Sequence, residues 1–425
     1  MRELVAALVL FGVVVYVGER GLETSELFDI KKILGMEEEK VVGGLVGEED
    51  EVLGQQGEDI EVERDPDNIE EITLPHYVVA YILGDHKIYA QDIDATKITH
   101  INYAFLDVRN NSIRSFLRND RHNLAELRKL RRKYPHLSIM VSLGGWTKSA
   151  GFSDMAASKR NRKRFAESVV DFLRTYRLDG VDIDWEYPGQ SGAGNPHRKE
   201  DKQNFTLMVK TLKNYLDDAS EEDEREDKPY LLSIAGGVGY TFLRNTEMGK
   251  VQRYVDFINL MSYNFAGAWS PRTAHHTNLY ASNLAGGSEN DVAEVVRQYA
   301  AEGVPLNKIT IGVAFYGRGW EGVSPRSNGL HQSSTQNLGS FRFHDLRNEY
   351  IDKKGYIRYW DTLAKAPYLW NPNDQVFITY DDPESLRYKA QYVKKQQLAG
   401  LMFWEYYRDT SKVLLEAVHE ELNGE

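Results

Sequence analysis

From Tyr77 to Tyr406 the chain alternates eight short β-branched and aromatic runs with amphipathic stretches, and this alternation limits its fold more than any other feature. The runs are YVVAYIL (77–83), ITHINYAFL (98–106), LSIMVSLGG (137–145), GVDIDWEY (180–187), YLLSIAGG (230–237), VDFINLMSY (255–263), ITIGVAFYG (309–317) and AGLMFWEY (399–406). Helical periodicity falls between them, near 122–133, 159–176, 200–217, 289–303 and 383–397. Strands that alternate with helices form parallel sheets, and eight such units close into a (β/α)8 TIM barrel. A doubly wound open sheet is the other solution. It is disfavoured because no Gly-rich phosphate fingerprint opens a helix after the first strand.

One connection is far too long for a barrel loop. About 60 residues, 319–380, separate the seventh strand from the helix near Pro383, where about 2–6 are usual. The stretch carries strand-like runs of its own (GSFRFHDL, GYIRYW, PYLW, VFITY). A small α+β insertion is therefore expected within a catalytic domain over 75–422. It would stand on the C-terminal face, where barrel enzymes keep their sites.

The first 74 residues differ in texture. Leu4 to Gly18 is an apolar run behind Arg2. Its length suits the core of a signal peptide, about 7–15 residues, better than a bilayer span of about 20. Residues 1–22 are read as a signal peptide, with a signal anchor tethering the protein to the membrane through residues 4–18 as the alternative. Either places the protein outside the cell, secreted or anchored. Between Glu37 and Glu71 stand 15 acids against Lys40 and Arg64, a balance of −13 in a chain of net charge −12. Residues 23–74 read as an acidic disordered linker, and the remainder is nearly neutral. With no basic stripe, a nucleic-acid partner is not expected. There is no cysteine, which excludes disulfides and thiol catalysis. A monomer is expected.

The segment DGVDIDWEYP (179–188) carries the chemistry. Side chains alternate along a strand, so Asp182, Asp184 and Glu186 share one face while Val181, Ile183 and Trp185 share the other. In a barrel the acidic face points inward. Buried like charges are costly unless some carry protons, so a proton shared among neighbours is expected, with the outermost carboxyl raised enough to act as a general acid. A solvated edge strand or a divalent-metal site are the competing readings; no metal is expected.

DGVDIDWEYP matches the DxxDxDxE signature of family 18 glycoside hydrolases. Ser142-Leu143-Gly144-Gly145-Trp146 resembles the family's SxGG motif, and Met261-Ser262-Tyr263-Asn264 its MxYD motif. Tyr316-Gly317-Arg318 and Met402-Phe403-Trp404-Glu405 resemble its seventh and eighth strand ends, and the insertion resembles that of bacterial-type chitinases. The resemblance covers about 77–420. It implies a retaining, substrate-assisted chitinase acting on chitin and chito-oligosaccharides without a cofactor. Glu186 would be the general acid/base. Asp184 would hold the acetamido N–H, and Asp182 would share its proton. Asp179 would fix the strand's start, and Tyr263 would orient the acetamido oxygen. Trp404 would floor the reacting subsite, with Tyr81, Phe105, Trp146, Tyr187, Met261 and Arg318 lining the groove. Gly144 and Gly145 would let backbone approach the ligand. Two departures stand out: Asn264 replaces the family's aspartate, and Asp85 stands where many relatives have Trp. A neutral Asn264 should leave Glu186 ionising at lower pH than an aspartate would. The alternatives are a chitin-binding lectin-like protein, in which the acid at 186 should be lost, and an endo-β-N-acetylglucosaminidase on the same barrel.

Overall fold

The computed structural model describes residues 6–10, 13–17, 72–114, 118–282 and 290–424. The chain divides into two compact units, 1–63 and 64–425. In the first, two strands, Ala6–Leu10 and Val13–Val17, pair antiparallel. The acidic linker expected over 23–74 lies almost entirely outside the described residues. Among the described residues no helix is long and apolar enough to cross a membrane.

The second unit is a closed (β/α)8 barrel. Its strands are β1 (Tyr77–Leu83), β2 (His100–Arg109), β3 (Ser138–Gly144), β4 (Gly180–Asp184), β5 (Leu231–Gly236), β6 (Phe257–Leu260), β7 (Ile309–Ala314) and β8 (Gly400–Trp404). Each is parallel to its neighbours, and β8 pairs with β1 to close the ring. The alternation in β4 explains the layering. Val181 and Ile183 are fully buried on the outer face, and Trp185 beyond them stacks on Phe152 (5.4 Å between centroids) and meets the edge of Phe205. The covering helices supply matching stripes: Lys159–Tyr176 buries Phe165, Ala166, Val169, Val170 and Leu173, the 3–4 residue spacing of one helical face. Ser158 caps its first turn by accepting the Asn161 N–H. Inside the barrel a second apolar layer, including Val79, Met140, Phe257 and Met402, surrounds polar Asp182.

The seventh run does not stay in the barrel. β7 stops at Ala314, and Tyr316–Glu321 joins a separate five-stranded antiparallel sheet with Gln336–Arg342, Val376–Thr379, Ala366–Asn371 and Ile357–Asp361. Phe315 is the junction. Its N–H bonds Trp404 of β8, while its carbonyl accepts from Phe343 of the insertion.

A buried ion pair fastens the chain where it returns. Lys389 and Asp381 are essentially inaccessible (0% and 1%), and the ammonium lies 2.7 Å from both carboxylate oxygens. Thr277, from the segment after β6, accepts from Lys389 and donates to Asp381, and Asp381 also accepts from Ala314 N–H at the end of β7. Three segments around the barrel mouth thus share one carboxylate. Lys389→Ala should destabilise the fold by about 3–5 kcal/mol, because it strands a buried charge. The pair Lys389→Met with Asp381→Asn should cost less. Urea unfolding midpoints of both variants check this.

Candidate active site

At the barrel's centre Asp182 is fully buried and accepts four hydrogen bonds: from Tyr81 Oη and Ser142 Oγ at 2.7 Å each, Ser233 Oγ at 2.6 Å and Asn259 Nδ2 at 3.3 Å. An ionised carboxylate has about four acceptor sites, and the four donors fill that number at Asp182. Among the described residues no hydrogen bond joins Asp182 to Asp184, and Asp184 Oδ1 is buried without a partner. Ser233 and Asn259 are single polar side chains in apolar strands, and Ser142 is one of two serines in β3. That inward polarity was the sequence signal for a central anion, and only Ser142 lay in a motif.

Glu186 lies two residues beyond the end of β4 and is 8% exposed, the outermost of the three acids. Trp404 stacks on Phe105 (5.5 Å, 20°) and tilts against Tyr81 (5.7 Å), making an aromatic floor at the ends of β8, β2 and β1. Tyr263 is buried beside Met402, its hydroxyl 4.0 Å from the sulfur, and Met261 packs against the same interior cluster. Tyr187 meets Trp146 edge-on at 6.3 Å, and Trp146 itself is 52% exposed. Asn264 has a left-handed φ of 58°, which asparagine tolerates. Its Oδ1 accepts from Tyr316 Oη (2.8 Å) and from Arg318 Nε and Nη2 (3.0 and 2.8 Å).

Three of the expected positions act on the backbone of the site. Asp179 precedes β4, about 16 Å along the strand from Asp184. There it pairs with Arg131 (2.8 Å) and Arg225 (3.0 Å) and accepts Ile139 N–H. It fixes the start of β4 from the far end of the barrel and touches no reacting group. Gly144 and Gly145 have φ of 107° and 81°, and a Cβ on them would fall 2.2 Å from the Asp184 carbonyl oxygen and 2.6 Å from the Phe105 ring. Protein atoms thus pack directly against both glycines.

Comparison with known proteins gives the family. The family model for glycosyl hydrolases family 18 matches residues 77–409. The chain belongs to this family. Among curated relatives, chitinase A1 of Niallia circulans is 40% identical over 391 residues, 78% of this chain and 56% of the relative, so the chain spans about half of that protein's length. Chitinase B of Serratia marcescens is 31% identical, with 74% of each chain aligned. Among solved structures, a family 18 N-acetylglucosaminidase from Paenibacillus barengoltzii is 42% identical with a TM-score of 0.75, covering 82% of this chain and 100% of that one. Residues 77–409 accordingly form this chain's family 18 domain.

Burial sets the ionisation of its carboxyls. Asp182 is raised by burial, its four donors working against the rise. Burial, then the nearby charges of Glu186 and Asp182, push Asp184 well above the carboxylate range. Burial lifts Glu186 to about 7, with the Tyr187 hydroxyl pulling the other way. A group needed in its protonated form loses activity as pH rises through its pKa. The basic limb of kcat/KM is therefore expected near pH 7. Asn264→Asp should move it upward by less than about one pH unit, because the Arg318 guanidinium already faces that oxygen and would offset the added charge, with the Tyr316 hydroxyl donating to it. Steady-state pH–rate profiles of both forms on one short substrate check the position and the shift.

Proposed function

We propose that the protein hydrolyses β-1,4 linkages between N-acetylglucosamine units of chitin and chito-oligosaccharides. The observation that carries this reading is Glu186, a carboxyl held near neutrality at the open end of β4, above the floor of Trp404, Phe105 and Tyr81. In this reading a sugar ring rests on Trp404. Glu186 gives its proton to the glycosidic oxygen as the bond from C1 breaks, while the substrate's acetamido oxygen attacks C1 from the opposite face. The oxazolinium ion then takes up water deprotonated by Glu186, and the anomeric configuration is retained. Asp184, with its unpartnered Oδ1, holds the acetamido N–H, and the Tyr263 hydroxyl orients the acetamido oxygen. Retention of all four signature acids argues against a lectin-like role. We further propose action outside the cell, supported by the apolar run at 4–18.

A second reading, release of single sugars from chain ends, is favoured by the 42% identical relative described as an N-acetylglucosaminidase. Products from chitohexaose separate the two, since internal cleavage gives a spread of oligosaccharides early and end cleavage gives monosaccharide from the start. Glu186→Gln should keep oligosaccharide binding and lose at least about 10²–10⁴-fold in kcat. A variant turning over near the wild-type rate removes Glu186 from the reaction.

A further inference from the structure

The β4 ladder ends at Asp184, where Gly144 of β3 is the last partner. Glu186 therefore carries its carboxyl on backbone that no strand holds, although proton transfer needs it placed within a fraction of an ångström. Its peptide groups are instead met by two side chains from separate loops. The Ser149 hydroxyl, fully buried, accepts the Glu186 N–H at 3.0 Å and donates toward the carbonyls of Gly145 (2.9 Å) and Asp184 (3.1 Å). The Asn195 amide, 8% exposed, donates to the Glu186 carbonyl at 3.2 Å and to the Trp146 carbonyl at 2.9 Å. Gly192, in the same loop as Asn195, lies so close that a Cβ would sit 2.4 Å from the Glu186 carbonyl oxygen.

We propose that Ser149 and Asn195 are positioning residues that clasp the Glu186 backbone from both sides and hold its carboxyl over the scissile bond. Asn195 also ties Glu186 to the main chain of Trp146, the exposed aromatic after β3, so that a displacement of that loop is felt at the acid. Neither side chain reaches the carboxyl itself. Their effect is on where the proton is delivered, and the inference rests on Glu186 being the general acid.

A leaving group that needs no proton separates positioning from general damage. kcat/KM would be measured for Ser149→Ala, Asn195→Ala and Glu186→Gln on chitotetraose and on a 2,4-dinitrophenyl chitobioside. The first two should lose about 10–100-fold on chitotetraose, the scale of an ångström misplacement, and less than about threefold on the dinitrophenyl substrate, whose departure needs no acid. KM for chitotetraose should hold. Gly192→Ala, which crowds the same carbonyl while leaving both clasping side chains in place, should show the same split. It keeps the test open if Ser149→Ala fails to fold. Equal losses on both substrates, or none on either, overturn the clasp. If Glu186→Gln itself loses equally on both substrates, it is the general-acid reading that fails.

Discussion

The site depends on one buried anion. Asp182 stands in the middle of the barrel with four neutral donors around it, from β1, β3, β5 and β6. Removing a carboxylate from water costs several kcal/mol unless its lone pairs are filled, and here all are. Burial, with the charges of Glu186 and then Asp182 adding to it, raises Asp184 well above the carboxylate range, so that it keeps its proton. With Asp184 neutral, Glu186 is raised by burial, and the strand presents one acid at the mouth that is still protonated near neutrality.

Around that centre the barrel acts as a frame. The apolar faces of the strands bury against the helices, while their inward faces gather groups from distant stretches of chain. The buried Lys389–Asp381 pair joins the segment after β6, the end of β7 and the helix after the insertion. Asn264 lies in the first of these, and Tyr316 and Arg318 follow directly after the second. Rigidity at the mouth thus comes from a few saturated polar nodes set into an apolar scaffold.

Much of this was legible in the chain. Period-two alternation in GVDIDWEY placed three acids on the inner face, and the strand–helix rhythm gave the barrel. What escaped reading had physical causes. The donors to Asp182 lie 40–101 residues from it in sequence, so no local pattern joins them. ITIGVAFYG reads as one strand because its composition does not change at Phe315. The break comes from tertiary pairing, with the insertion taking over the hydrogen bonds. Gly144 and Gly145 were recognisable as close-approach positions, but a sequence does not say whether ligand or protein makes the approach.

The central claim is that burial keeps the Glu186 carboxyl protonated close to neutral pH. Carbon-13 NMR of the side-chain carboxyls, with Glu186→Gln used to assign the resonance, measures this directly. The account predicts a titration midpoint at about 7. A midpoint in the ordinary glutamate range, about 4–5, would contradict it.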